Sequence, residues 1–308
     1  MREPRAKVII IGGPTATGKS HLAISLARAL GGEIINADSM QVYRKMDIGT
    51  AKPTAEQRAL ATHHMLDIVD PDEPFNASLY RSMALPIIEE ISAKGMVPIV
   101  VGGTGLYIRT LRGGLFSCPA ADPELRHRLV KQYEEQGAQA MHRKLEEIDP
   151  EAAARIHPND KIRVTRAIEI YKLTNKKLSE LARRHGFKDR PFDDILFCLY
   201  LDRVALYERI NRRCVKMIEQ GLVDETRHLL ESGYSPKLKP MQAIGYRHMT
   251  KYITGDWSLE EALAQMQRDT RRYAKRQITW FKAEDEFLWV RPDEHETMLR
   301  RSKKFLNM

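Results

Sequence analysis

The stretch that most constrains this chain is a glycine-rich loop near its N-terminus, residues 12–20. It follows an apolar run at residues 8–11 and leads into a segment with helical spacing at residues 20–30. From Gly13 onward the loop fits G-x-x-x-x-G-K-[ST], the pattern of a phosphate-binding loop between a strand and a helix. Glycines allow successive backbone N–H groups to surround phosphate oxygens at the positive end of the following helix. The loop therefore predicts a site for a diphosphate-like group.

Two side chains of this loop add to the predicted site. Lys19 would place a point charge on the terminal phosphate, and Ser20 Oγ would be a ligand for Mg²⁺. Such a loop binds phosphates whatever is attached to them, so it does not name a reaction.

Length and composition are those of a globular protein. The 308 residues suffice for one large domain with an insertion or for two domains. No apolar run approaches the roughly 20 residues of a membrane span, and the polar N-terminus does not resemble a signal peptide. The cysteines are too few and too scattered for a disulfide framework or structural zinc: Cys118, Cys198 and Cys214. We expect a cytoplasmic protein without a membrane partner, in which Cys198 and Cys214 are buried packing residues.

The net charge of +9 is unevenly distributed. Residues 1–100 hold 11 Lys/Arg and 11 Asp/Glu, whereas residues 101–200 hold 18 and 14, and residues 201–308 hold 21 and 16. The excess therefore lies outside the part with the phosphate loop, which favours a polyanionic partner, although basic globular proteins are also common.

Further apolar runs predict a parallel sheet, at residues 33–37, 96–101 and 195–201. The first run ends at Asp38, and in a parallel α/β sheet the strand C-termini share the edge that holds the phosphate loop. Asp38 could be a magnesium ligand or kinase base, a base for a nucleophile that attacks the group attached to the diphosphate, or a helix N-cap. We favour a functional role. A second glycine-rich turn, residues 102–105, is expected at the same edge, either as a ligand contact or as a tight turn alone.

The predicted fold class is α/β, with a parallel core of the P-loop NTPase type flanked by helices. Residues 118–190 are polar, charged and helical in pattern, which indicates an all-helical insertion domain; the core is then residues 1–117 and 191–308. A helix predicted at residues 78–94 contains Pro86, which should kink or shorten it. Residues 40–53 and 63–74 are predicted to be loops.

Basic residues recur at helical spacing in three places. One stripe combines Arg209, Arg212, Arg213 and Lys216, and a second combines Arg268, Arg271, Arg272, Lys275 and Arg276 with interleaved Tyr273, Trp280 and Phe281. Arg163 and Arg166 form a smaller patch. Each could be ordinary surface, but cations with flat aromatic rings suit an RNA backbone and unstacked bases. An arginine of the first stripe could instead reach the diphosphate.

Several blocks, in order along almost the whole chain, resemble the bacterial tRNA dimethylallyltransferase family. After Gly13-Pro14-Thr15-Ala16-Thr17-Gly18-Lys19-Ser20, the most specific are Asp38-Ser39-Met40-Gln41-Val42-Tyr43 and Gly49-Thr50-Ala51-Lys52-Pro53. The others are Val101-Gly102-Gly103-Thr104, Arg155-Ile156-His157-Pro158-Asn159-Asp160, Gly245-Tyr246 and Ala274-Lys275-Arg276-Gln277. A small departure is Thr17, where relatives often carry serine.

The resemblance implies a reaction and its partners. Dimethylallyl diphosphate would bind to the phosphate loop with Mg²⁺, while the insertion domain holds the anticodon stem-loop of a tRNA. The adenosine 3′-adjacent to the anticodon would be flipped into the site, its exocyclic amine would take the dimethylallyl group, and diphosphate would be released. By family analogy we expect a monomer.

The resemblance also assigns roles to residues. It implies Asp38 as general base, with Thr15 and Arg213 as further catalytic contacts at the diphosphate. Diphosphate binding is expected at Gly13, Pro14, Thr15, Ala16, Thr17, Gly18, Lys19, Ser20 and Arg213, with Ser20 as the metal ligand. Contacts to tRNA are expected from Asp38, Ser39, Met40, Gln41, Thr104, Lys275, Arg276 and Gln277, to which the basic patch adds Arg163 and Arg166.

The expected chemistry agrees with this assignment. An allylic carbon loses diphosphate readily once the departing charge is neutralised, and the attacking amine is helped by a carboxylate that takes its proton. Two rivals stay open from the residues alone: a P-loop kinase acting on a small molecule or nucleotide, and a non-catalytic RNA-binding P-loop protein.

Overall fold

The computed structural model describes residues 5–116 and 122–308. Its centre is a six-stranded parallel sheet with the strand order β3-β2-β4-β1-β5-β6. The strands are β1 (Lys7–Gly12), β2 (Gly32–Asn36), β3 (His63–His64), β4 (Val97–Val101), β5 (Asp193–Leu199) and β6 (Leu288–Val290). In the central register, Ile10 lies opposite Val100 on one side and Leu196 on the other. The predicted fold class, a parallel sheet flanked by helices, is confirmed.

The described part of the chain also contains helices before, within and after the predicted insertion. Before it lie α1 (Lys19–Leu30), α2 (Ala55–Leu60), α3 (Ala77–Ala93) and α4 (Gly105–Gly113). Within it lie α5 (Pro123–Gln136), α6 (Ala138–Ile148), α7 (Pro150–Arg155), α8 (Lys161–Thr174) and α9 (Leu178–His185). After it lie α10 (Arg203–Glu219), α11 (Leu222–Glu231), α12 (Tyr246–Ile253), α13 (Leu259–Lys282) and α14 (His295–Leu306).

Side chains of β1 alternate between two hydrophobic clusters, as period-2 strand geometry requires. Val8 and Ile10 belong to a cluster with residues of α3, α4 and α10–α13, whereas Ile9 and Ile11 belong to a cluster with residues of α1 and α14. The two clusters therefore occupy opposite faces of the sheet. Because the sheet is covered on both faces, its central strands are continuously apolar.

Several sequence expectations need correction. Pro86 does not shorten α3, which continues for 17 residues because Tyr80, Ala84, Ile88 and Ile91 are buried along its inner side. The pattern missed α2, which lies between the predicted loops and has no buried residue, and β3, a strand of two residues at the start of the predicted loop 63–74. Helix α12 begins at Tyr246, directly after Gly245 with φ 100°. Helices α4 and α14 were also not predicted.

The chain divides into two compact units, Met1–Arg112 with Arg190–Met308, and Gly113–Asp189. The insertion boundaries expected from the sequence were 118 and 190. The smaller unit has its own apolar core, which includes Leu129, Met141, Leu145 and Val164. Cys198 and Cys214 are buried, as predicted; Cys118 lies outside the described residues. Among the helices of the described ranges, none combines the length and apolarity needed to cross a membrane.

Candidate active site

The phosphate loop connects β1 to α1 in the larger unit. Gly13 has φ 128° and packs so closely on β5 that a Cβ there would lie 2.5 Å from the backbone oxygen of Leu199. Gly18 has φ 95°, and Ala16 also adopts a positive φ of 65°. Left-handed backbone is accessible to glycine without cost, so the two glycines permit the curl that the loop pattern predicted.

Polar side chains of the loop bond to its own backbone. Thr17 Oγ1 and Lys19 Nζ both donate to the Pro14 carbonyl oxygen, at 2.8 and 2.6 Å. Removal from water, reinforced by the positive charge of Arg213, lowers the pKa of Lys19 to about 8. Ser20 is exposed at the first turn of α1. Lys19 is therefore an ammonium that is poorly solvated without an anion beside it.

A buried glutamine ties the loop to α13. Gln277 Oε1 accepts from the Thr15 backbone N–H at 2.9 Å, and Gln277 Nε2 donates to the Gly103 carbonyl oxygen at 2.9 Å. A Cβ on Gly103 would collide with Gln277 Nε2, so this bridge requires glycine there. The second glycine-rich turn thus has a packing function at the sheet edge. The Gln277 amide joins three segments of the core, and the tRNA contact that the resemblance implies for this residue stays a prediction.

Asp38 follows β2 by two residues and lies in a network of turn hydrogen bonds. Its Oδ1 accepts from the Met40 N–H at 2.9 Å, and its own N–H donates to Asn36 Oδ1 at 3.2 Å. The next N–H, that of Ser39, donates to Thr104 Oγ1 at 3.0 Å. No helix begins at Asp38, so its carboxylate is not a helix N-cap. The bonds hold Asp38 in place and leave it partly exposed.

Two further polar side chains of the site come from α10 and α13. Arg213 of α10 donates from Nη1 to Thr15 Oγ1 at 3.3 Å, and burial lowers the pKa of its guanidinium. Tyr273 of α13 has a raised pKa because it is buried and because the Asp38 carboxylate disfavours a second negative charge. Tyr273 was not among the predicted site residues; its position four residues before Gln277 on α13 was the available signal.

These groups line one cavity of about 860 Å³ within the larger unit. Predicted residues in its wall are Thr15, Ala16, Gly18, Lys19, Ser20, Asp38, Gln41, Arg213 and Gln277. Its size is within the range of ligand-binding clefts. An anion in this cavity would meet Lys19, Arg213 and the loop amides, and a group beyond it would meet the Asp38 carboxylate.

The other predicted residues do not line the cavity; Ser39, Met40 and Thr104 belong to the hydrogen-bond network around Asp38. Gly13, Pro14 and Thr17 are buried residues of the loop itself, and Lys275 and Arg276 are exposed on α13. On α8, in the smaller unit, Arg163 lies 3.4 Å from Asp160, while Arg166 lies 2.8 Å from the buried carboxylate of Glu169, which also contacts Arg126. Arg166 therefore already has a structural ion pair, whereas Arg163 is 69 % exposed.

A divalent cation would find its protein ligand in Ser20. In the described ranges no cluster of three or more His, Cys, Asp or Glu side chains could hold a metal by itself. Mg²⁺ keeps several waters and is usually bound by one or two protein oxygens together with substrate phosphates. The exposed Ser20 hydroxyl in the cavity wall fits that donor set.

Family models match most of the chain. The model of "IPP transferase" matches residues 41–284, and that of "Isopentenyl transferase" matches residues 6–67. Among curated proteins, the tRNA dimethylallyltransferase of Geobacter sulfurreducens is 51% identical over 286 residues, 93% of this chain and 92% of the relative. That of Desulfatibacillum aliphaticivorans is 49% identical over 98% of this chain and 99% of the relative.

Solved structures agree with these matches. The tRNA isopentenylpyrophosphate transferase of Bacillus halodurans superposes with a TM-score of 0.71 at 41% identity, covering 99% of this chain and 100% of the other. A eukaryotic dimethylallyltransferase acting on tRNA superposes with a TM-score of 0.78 at 32% identity, covering 92% of this chain and 73% of the other.

Proposed function

This chain belongs to the IPP transferase family, and we propose that the cavity at its phosphate loop is where it transfers a dimethylallyl group from dimethylallyl diphosphate to tRNA. The family reaction is transfer to the exocyclic amine of the adenosine 3′-adjacent to the anticodon, with release of diphosphate. One observation carries the assignment of residues: Asp38, Lys19, Ser20 and Arg213 line the same cavity. Cationic groups for a leaving diphosphate and a carboxylate for the incoming amine are thus within one space.

The leaving group is bound by the phosphate loop. Its diphosphate accepts hydrogen bonds from the loop amides, Lys19 and Arg213, and the allylic C–O bond breaks as negative charge builds on the departing oxygen. Lys19 exchanges its bond to the Pro14 carbonyl for one to phosphate, and Thr15 orients Arg213. Ser20 would hold Mg²⁺ together with the diphosphate, and the ion would supply further positive charge to neutralise the leaving group.

The acceptor amine is activated by Asp38. The lone pair of an adenine amino group is delocalised into the ring, so its nucleophilicity rises as a proton is removed during bond formation. Asp38 takes that proton, and the Met40 and Asn36 contacts hold its backbone and Oδ1 during the transfer. Ser39, Met40, Gln41 and Thr104 surround this point and are the proposed contacts to the flipped nucleotide.

The proposed contacts to the RNA come from basic residues outside the part of the chain that holds the phosphate loop. Lys275 and Arg276 are exposed on the helix that carries Gln277 and Tyr273 into the cavity, and Arg163 is exposed on α8. A flipped base in a single-stranded loop costs little to unstack, which suits an anticodon loop. The smaller unit, Gly113–Asp189, is proposed to bind the anticodon stem-loop. We propose that the enzyme acts as a monomer in the cytoplasm.

One incubation tests this function against its rivals. Unmodified tRNA with radiolabelled dimethylallyl diphosphate and Mg²⁺ should give labelled tRNA, and nuclease digestion should place the label on the adenosine next to the anticodon. A kinase would instead release ADP from ATP with an acceptor, and an RNA-binding protein without activity would retain tRNA unlabelled. Either of those results would overturn the proposal.

A further inference from the structure

A tight turn at residues 46–52 forms part of the cavity wall beside Gln41. Asp47, Ile48, Thr50, Ala51 and Lys52 all line the cavity. The turn is closed by backbone bonds from the Ala51 N–H to the Ile48 oxygen and from the Lys52 N–H to the Asp47 oxygen, both 2.9 Å. Ala51 has φ 50°, in the left-handed region. This conformation is unfavourable for alanine and needs support from outside the turn.

That support comes from one carboxylate on α11. Glu225 Oε2 accepts from the Asp47 and Ile48 N–H groups at 3.0 and 2.8 Å, and Oε1 accepts from the Gly49 N–H at 3.0 Å. Oε1 also accepts from the Tyr246 hydroxyl at 2.6 Å, and Tyr246 is completely buried. A Cβ on Gly49 would lie 2.5 Å from the Tyr246 ring, so the turn lies directly on this pair.

Residues 50 and 51 of this turn fix the orientation of the Gln41 side-chain amide. Gln41 Nε2 donates to the carbonyl oxygens of Thr50 and Ala51, both at 3.1 Å. Backbone carbonyls only accept hydrogen bonds, so both amide hydrogens are directed to the turn and Oε1 is held as the acceptor end. A chain of contacts thus runs from Glu225 through the turn to a side chain in the cavity wall.

We propose that Glu225, with Tyr246, is a positioning residue for the target adenosine. It holds residues 47–51 in the shape that sets the orientation of the Gln41 amide. The inference rests on the proposed function, in which Gln41 contacts the flipped nucleotide. A carboxylate is required because all four donors point at it, and only a group with acceptors at both ends satisfies them.

A second anchor makes the proposal testable in a folded protein. The buried Lys52 Nζ donates to the Tyr43 oxygen at 2.8 Å and to Asp47 and Asp67 at 2.6 Å each. These bonds do not involve Glu225, so its loss should alter the shape of the turn without releasing the segment.

The test is Glu225→Gln, which keeps the volume but turns an NH₂ group toward N–H donors. Binding is measured for two anticodon stem-loops, one with the target adenosine and one abasic at that position. The wild-type preference for the adenosine-containing RNA should shrink by roughly tenfold, because the variant loses a binding free energy of about one charge-assisted hydrogen bond. Affinity for dimethylallyl diphosphate should stay within about twofold, since that ligand lies at the phosphate loop. Glu231→Gln, on the exposed end of α11, is the matched control.

A general loss of folded protein would lower the amount that binds both RNAs and would leave their ratio unchanged. An unchanged ratio in Glu225→Gln, with wild-type enzyme active, overturns the inference and leaves the proposed function intact; inactive wild type overturns the function itself. If Glu225→Gln does not fold, Tyr246→Phe decides. It removes one donor to Oε1 and should reduce the same preference by a few-fold, and an unchanged preference would refute the role.

Discussion

At the scale of single residues, Asp38 separates chemistry from binding. Asp38→Ala should leave tRNA affinity near normal, because the carboxylate contributes its proton acceptance only as the new bond forms. Single-turnover transfer should fall by roughly 10²–10⁴-fold, the usual effect of removing a general base. Asp72→Asn, an exposed carboxylate on the surface, is the control and should keep full rate. Normal turnover in Asp38→Ala would remove this residue from the mechanism.

Lys19 gives the site a pH dependence. In the free protein its pKa is lowered to about 8, so the ammonium that binds diphosphate loses its proton as the pH rises through that value. The ligand's own second phosphate ionisation is complete near pH 7, so it adds little above that. Dimethylallyl diphosphate affinity, measured by calorimetry from pH 7 to 9.5, should therefore fall by up to about tenfold per pH unit above about pH 8.

Lys19→Ala serves as the control for that titration. It should bind dimethylallyl diphosphate much more weakly at pH 7 and show no further loss on going to pH 9.5. If the variant has wild-type affinity, the role assigned to the phosphate loop is wrong. A pH-dependent loss of equal size in the variant would assign the titration to another group.

Among secondary-structure elements, the sequence predicted those whose signal lies within their own residues. The phosphate loop carries its own glycines, and β1, β4 and β5 are apolar runs because both faces of the sheet are covered. The loop's position next to Asp38 follows from parallel topology alone. The α2 helix could not be found by apolar periodicity because none of its residues is buried, although its capping box at Thr54 and Gln57 was a readable signal.

The sequence also did not predict hydrogen bonds between elements that are distant in the chain. The tRNA contact that the resemblance implies for Gln277 stays a prediction, but the sequence did not reveal that its amide bonds to segments 262 and 174 residues away in the chain. Glu225 had no motif at all, since its partners are backbone N–H groups of a turn. Side chains that bond to the backbone of another element have no fixed sequence spacing, so a single sequence does not reveal them.

The Gln277 bridge predicts a stability effect from an element contact. Gln277→Ala leaves the Thr15 N–H and the Gly103 oxygen without their partner, which should lower the free energy of unfolding by about 1–3 kcal/mol. Because the phosphate loop is then less well held, dimethylallyl diphosphate affinity should fall as well. Chemical denaturation and calorimetry measure the two effects.

Lys275→Ala, two residues earlier on the same helix but exposed, is the matched control. Its free energy of unfolding should stay within about 0.5 kcal/mol of wild type. Equal stability of both variants would mean that the bridge has no structural role.

At the scale of the whole molecule, the two faces of the sheet differ in what they present. The face covered by α10–α13 carries Arg213, Tyr273 and Gln277 into the cavity and has Lys275 and Arg276 on its outside. The other face is covered by α1 and α14, and α14 has its own exposed cations, among them Lys303 and Lys304. Helical spacing in the sequence singled out the cations of α13 but not those of α14, and net charge alone does not distinguish these two basic surfaces. Their positions relative to the cavity do.

That difference predicts how tRNA binding responds to salt. A cation that contacts a phosphate releases counterions. Each such contact therefore adds roughly 0.7–0.9 to the magnitude of the negative slope of log K against log salt concentration. The affinity for an anticodon stem-loop should therefore fall steeply with salt in the wild type, and Lys275→Ala should lower the slope by about one unit. Lys303→Ala removes the same charge from the opposite face of the sheet and should leave the slope unchanged. Equal slopes for the two variants would mean that net charge, rather than the α13 surface, attracts the RNA.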